Sequence, residues 1–170
     1  CLVTIHVPID QLPELVTGER VARVARVVHE SMKRDFGIAA PRLALAALNP
    51  HAGEGGAIGL QEVTVLRPAA EALRAEGLNI TDPLPADTLF HEEARARYDA
   101  VVCLYHDQAL IPVKTLDFWG GVNATLGLPI VRTSPDHGTG FDIAGKGVAR
   151  ADSFIAAVRL ASEMASARAN

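Results

Sequence analysis

Three of the six histidines, His6, His51 and His106, each lie at the close of an apolar run that reads as a strand, in segments 2–7, 42–48 and 101–104. Strands of one sheet present their ends side by side, and in open α/β sheets ligands bind outside the carboxyl ends. Imidazoles far apart in sequence can therefore converge. Three nitrogen ligands with open coordination positions suit a catalytic divalent cation better than a closed structural site. With no Cys in the set, zinc, cobalt, nickel or manganese fit. Asp107, Asp87 and Asn49 are candidates to orient the rings. No compact spacing such as His-Glu-x-x-His is present, so the opposing reading, polar turns that merely end strands, stays open.

A second group is Lys114, Asn123 and Arg132, two fixed cations and an amide beside strand-like segments. Together they suit a phosphate or carboxylate, although each taken singly also reads as a surface residue. Lys114 follows Pro112 closely enough to bring its charge to the His106-Asp107-Gln108 turn. A third group is the glycine-rich run from Asp136 to Gly147, whose backbone amides can approach an anion or nucleotide. It is not the G-x-G-x-x-G fingerprint.

These groups need a scaffold. Apolar Val21, Val24, Ala25, Val28 and Met32 recur at helical spacing over 19–36, with Thr17 as cap and Gly37 as stop. His29 is expected on the surface of that helix. A second helix is expected over 62–76, with Val63, Leu66, Ala70 and Leu73 on one side. A brief strand follows at 78–80, then a rigid loop over 82–88 shaped by Pro83 and Pro85. Asp87 is placed to cap a short helix over 88–97, where His91 is solvated. A strand is expected over 129–133, and a last helix over 151–167 with Phe154, Ile155, Val158 and Ala161 inward. Strands alternating with helices point to α/β layers.

The 170 residues suffice for a sizeable core, and 49% hydrophobic with 21% charged residues reads as globular. A formal net charge of -4 argues against non-specific nucleic-acid binding. No apolar run approaches the ~20 residues of a membrane span. The cysteines, Cys1 and Cys103, form no disulfide framework, and a reducing cytoplasm is the simplest home. The chain opens directly on a strand-like segment, which suggests that it starts within a longer polypeptide.

The motifs Asn49-Pro50-His51-Ala52-Gly53-Glu54-Gly55-Gly56, Pro83-Leu84-Pro85-Ala86-Asp87-Thr88, Tyr105-His106-Asp107-Gln108, 121–129 (Gly-Val-Asn-Ala-Thr-Leu-Gly-Leu-Pro) and Asp136-His137-Gly138-Thr139 stand in this order. Together they resemble the 4-hydroxythreonine-4-phosphate dehydrogenase family, over essentially the whole chain. The resemblance implies an isocitrate/isopropylmalate dehydrogenase-like fold of α/β/α layers, present as its C-terminal portion. Residues 1–105 would be the middle, dimerising domain and 106–170 the last part of the cofactor domain. It implies a homodimer and a divalent metal (zinc, cobalt or magnesium). It also implies NAD or NADP, with oxidation of 4-phosphooxy-L-threonine in pyridoxal phosphate synthesis. The keto acid formed loses carbon dioxide to give 3-amino-2-oxopropyl phosphate.

Carried over by motif, His6, His51 and His106 become metal ligands, and Lys114, Asn123 and Arg132 substrate contacts. Lys114, Asp107 and Asp87 become candidates for proton transfer, and His137, Gly138, Thr139 and Gly140 part of the cofactor loop. Asp82 departs from the pattern, standing where a glycine is expected and bringing a charge near Asp87. Members of the family are about twice as long, so the chain is expected not to turn over substrate by itself. Two other readings keep the same motifs: a paralogous dehydrogenase of another phosphorylated hydroxy acid, and a non-catalytic metal-binding or dimerising fragment. Purified protein is expected to carry up to one equivalent of divalent metal, and His51→Ala to remove most of it. Unchanged metal content in the single alanine variants of His6, His51 and His106 would refute the ligand assignment.

Overall fold

The computed structural model describes residues 1–169. Helix α1, Gly18–Phe36, opens where the Thr17 side chain accepts from the Arg20 N–H and closes at left-handed Gly37. Its apolar stripe, including Val21, Ala25 and Val28, is buried as the spacing requires. Strand β1, Arg42–Ala46, alternates leucine and alanine. Leu43 and Leu45 join the main core beneath α1, while Ala44 and Ala46 face a smaller cluster with Leu89.

The second helix begins as a wide π turn, Glu62–Leu66, and continues as α2, Arg67–Ala75. Pro68 has no N–H to offer the preceding turn, a usual reason for such a local widening. Leu66, Ala70 and Leu73 are buried, but Val63 faces solvent because Glu62 takes the inward position. Strand β2, Asn79–Leu84, is longer than its apolar run, for it includes Asp82 and Pro83. The sheet order explains this: β2 is an edge strand, where a proline is tolerated. Asp82 is thus not a loop residue; it is ion-paired with Arg67 at 3.2 Å and Arg74 at 2.8 Å.

Strand β3, Ala100–Val102, completes a parallel sheet in the order β2-β1-β3. The expected strand over 2–7 is reduced to one parallel bridge, Leu2 to Cys103, on the free edge of β3. There the Val3 N–H donates to Cys103 O at 2.9 Å and the Thr4 N–H to Leu104 O at 3.1 Å.

The expected helix over 88–97 is mostly irregular, with a 3-10 turn Ala86–Thr88 and one helical turn Glu92–Arg95. Neither is capped by Asp87, because Pro85 and His91 occupy the cap positions. His106, expected in a polar turn, instead opens helix α3, His106–Leu116, which carries Pro112 in its interior. Pro112 leaves the Gln108 carbonyl without its helical partner, and the buried Cys103 thiol donates to that oxygen at 3.9 Å.

Strands β4, Val122–Ala124, and β5, Thr133–Pro135, form an antiparallel pair, so segment 129–132 precedes the strand expected there. Helix α4, Asp152–Ala169, packs on β4, β5 and α1. Its inward residues are Ala157 and Met164, whereas Phe154 (60% exposed), Ile155 and Val158 face outward. The Thr133 hydroxyl donates to the Ala157 carbonyl at 2.9 Å, which ties that stretch of α4 to β5.

Asp35, on α1, is 1% exposed and is the main polar tie between α1 and α4. Arg34 Nε and Arg168 Nε each donate to its Oδ1 at 2.7 Å. The Arg34 hydrogen bond, helped by that of Arg168 and opposed by burial, lowers the Asp35 carboxyl to about 2. The folded state therefore binds this proton more weakly than the unfolded chain. The resulting stability, roughly 2 kcal/mol, is fully present above about pH 4 and lost as pH falls towards 2. Urea midpoints should drop across that window, and Asp35→Asn should lower stability at neutral pH and flatten the acid response. An unaltered acid response in the variant would refute the role given to Asp35.

Candidate active site

Parallel pairing brings the carboxyl ends of β2, β1, β3 and the 1–4 segment to one edge of the sheet. The chain leaves those ends towards Asp87, His51, His106 and His6 respectively. His6 and His106 meet there, their rings 5.5 Å apart between centroids and tilted by 41°. His106 Nδ1 lies 2.7 Å from Asp107 Oδ1, a contact that sets the ring's orientation and tautomer. Asp107 and Asp87 line one open groove of about 410 Å³ with Phe90, Tyr105, Ile111 and Leu116.

His51 sits on a different kind of support. Residues His51, Ala52, Gly53, Glu54 and Gly55 all have positive φ, forming one left-handed turn. For His51, Ala52 and Glu54 that conformation costs roughly 1–2 kcal/mol each. Strain of this kind persists only where the surroundings over-determine it. Here the surroundings are Glu62, which is 1% exposed. Glu62 Oε1 accepts the N–H groups of Leu48 at 2.8 Å and Asn49 at 2.7 Å, and Oε2 accepts the Asn49 side-chain amide at 2.8 Å. The fit is tight, since a Cβ on Gly53 would come 2.7 Å from Glu62 Oε2, and one on Gly59 would collide with the Asn49 amide. The Asn49 side-chain amide is thus committed to the Gln61 and Glu62 side chains rather than to an imidazole.

Among the described residues no three His, Cys, Asp or Glu side chains gather as a group that could hold a metal ion. The donor set still fits a divalent cation in kind: paired imidazoles at the exit edge of the sheet, one of them oriented by a carboxylate.

The second group gathers around the β4–β5 ladder. Asn123 pairs with Ser134, and Arg132 stands immediately before β5. Arg132 Nη1 donates to Thr125 Oγ1 at 2.7 Å, and its carbonyl accepts from the Thr125 N–H at 2.9 Å. Lys114 Nζ reaches the far end of β5, 2.8 Å from the Asp136 carbonyl and 3.1 Å from its carboxylate. Lys114 is therefore tied to Asp136, not to the His106 turn. His137, Gly138 and Thr139 are exposed on the following loop, and Gly140 is left-handed with φ 62°.

Residues 1–161 match the family model described as pyridoxal phosphate biosynthetic protein PdxA. The chain belongs to that family. It is 65% identical over 98% of its length to 4-hydroxythreonine-4-phosphate dehydrogenase of Caulobacter vibrioides, covering 50% of that protein. The crystal structure of the Klebsiella pneumoniae protein of the same name superposes with a TM-score of 0.87 at 42% identity. That match covers 96% of this chain and 50% of the other. A terephthalate 1,2-cis-dihydrodiol dehydrogenase from Burkholderia xenovorans LB400 matches at TM-score 0.76 and 33% identity, over 95% of this chain and 51% of that one. The chain thus spans about half the length of the curated relatives it matches. The α/β fold expected from the motifs is that of this PdxA family.

Sequence reasoning missed Glu62 as the support of the His51 loop. Its signal was an acidic residue four before buried Leu66, on the inward side of the helix. His29 was misplaced as well: its side chain is 15% exposed, and Nδ1 is buried without a partner. Glu62→Ala strands the Leu48 and Asn49 N–H groups and should cost about 1–3 kcal/mol in urea unfolding. Gly59→Ala, at φ +107°, should be destabilising too. Wild-type midpoints in both variants would show that Glu62 does not hold the loop.

Proposed function

We propose that this chain carries metal- and substrate-binding residues of a 4-hydroxythreonine-4-phosphate dehydrogenase. The reaction is NAD(P)-linked oxidation of 4-phosphooxy-L-threonine with decarboxylation to 3-amino-2-oxopropyl phosphate, in a cytoplasmic homodimer. The observation that carries this reading is the sheet edge where His6 and His106 meet, in a chain 65% identical to a protein of that name. Residues 1–105 serve as the middle, dimerising part and 106–170 as part of the cofactor domain.

A divalent cation, when bound, supplies a Lewis acid for the substrate oxygens, and a nicotinamide supplies the hydride acceptor. His6, His51 and His106 are the residues that would hold the cation. Asp107 keeps the His106 ring oriented, and with Asp87 it places carboxylates in the adjoining groove, where they can move a proton. Arg132 offers guanidinium N–H groups beyond the one spent on Thr125, and Asn123 an amide, to the substrate phosphate. Lys114 spends N–H groups on Asp136 and keeps one for the same anion. His137, Gly138, Thr139 and Gly140 offer an exposed, partly left-handed loop to the nucleotide.

The likeness to a dihydrodiol dehydrogenase favours one second reading, a paralogous enzyme whose substrate carries another anion. Substrate comparison separates the two. Arg132→Ala and Lys114→Ala should each weaken binding of 4-phosphooxy-L-threonine about ten- to a hundredfold while leaving metal content unchanged. Equal losses with phosphate-free 4-hydroxythreonine would overturn the phosphate assignment.

A further inference from the structure

Segment 128–130 crosses from the turn after β4 to Arg132, and its carbonyls are met by arginines from the two long helices. Arg168 Nη1 donates to Pro129 O at 2.9 Å, and Nη2 lies 3.2 Å from Leu128 O and 3.4 Å from Ile130 O. Arg34 Nη2 adds a bond to Leu128 O at 3.3 Å. Arg168 is itself aimed by the buried Asp35, whose Oδ1 accepts from its Nε at 2.7 Å. Both oxygens of Asp35 are also taken by Arg34, at 2.7 and 3.0 Å, so the carboxylate cannot rotate away. The start of the segment is wedged as well. Gly127 has φ +79°, and a Cβ there would meet Val27 of α1 at 3.1 Å.

We infer that Arg168, seated on Asp35, is a positioning residue for Arg132: it sets the path of 128–130 and hence where the Arg132 guanidinium stands at the β4–β5 ladder. This rests on the reading of Arg132 as a phosphate contact. The physical reason is geometric. Only Val131 separates Ile130 from Arg132, whose side chain is anchored on Thr125, so a shift at 128–130 has little chain in which to dissipate. A planar guanidinium can hold one carboxylate and three successive carbonyls at once, whereas an ammonium keeps the charge but not the fork.

The test is a double-variant cycle on the chain, with 4-phosphooxy-L-threonine binding measured by calorimetry in one divalent-cation buffer. Arg168→Lys should weaken binding about tenfold with little change in melting temperature. In the Arg132→Ala background the same substitution should change binding less than about twofold, because the residue it positions is gone. Asp35→Asn, which removes the seat but leaves the fork, supplies a second cycle with the same expectation should Arg168→Lys fail to fold. Equal factors in both backgrounds, or no loss in either, overturn the positioning role alone. Wild-type affinity in Arg132→Ala, or no binding by the unaltered chain, overturns the phosphate reading and this inference with it.

Discussion

Parallel strand pairing is the constraint from which the site follows. Because β2, β1, β3 and the 1–4 segment all run the same way, every strand exit falls on one edge. Asp87, His51, His106 and His6, scattered over a hundred positions of sequence, leave the sheet side by side for that reason alone. An antiparallel arrangement of the same segments would send alternate exits to opposite edges and dissolve the group. Short β3 is central to this, since it pairs with β1 on one side and carries the 1–4 segment on the other.

Two buried carboxylates then hold what the sheet cannot. Glu62 has no cation beside it in its hydrogen bonds; backbone and amide N–H groups satisfy it, and in return it fixes the start of the strained His51 loop. Asp35 is the opposite case, neutralised by Arg34 and Arg168, and it joins α1 to α4 and to the approach to Arg132. Removing either partner of such a buried arrangement costs more than the contact itself is worth, because a desolvated group is left unpaired. Both carboxylates lie outside the candidate site and act on its loops from behind.

The sheet has two unlike faces. Leu43, Leu45 and Ile80 pack under α1 and α2, while Ala44 and Ala46 lie in a smaller cluster with Leu84, Val101 and the irregular 86–98 segment, where the Tyr98 hydroxyl donates to the Leu89 carbonyl. Ile111, Phe118, Phe141 and Phe154 are largely exposed on the later elements, in a chain that spans about half the length of its curated relatives.

Period and punctuation in the sequence determined α1 from cap to stop, the buried stripe of α2, the β1 core strand and the glycine-shaped loop at His51, because each depends on neighbours within one or two helical turns. The motifs around His51, Asp87, His106, Asn123 and His137 likewise sufficed to identify the family, since side-chain types in order are all that a family pattern needs. What the sequence could not decide depended on partners far away. Pro83 lies in a strand because β2 is an edge, and Val63 turns outward because Asn49 claims Glu62. Phe154 and Val158 stay exposed because α4 buries Ala157 and Met164 instead, with Thr133 of β5 bonded to the Ala157 carbonyl. The pairing of His6 with His106 and the strained turn that carries His51 are also tertiary results: strand order brings chain ends together, but loop geometry decides which side chains meet.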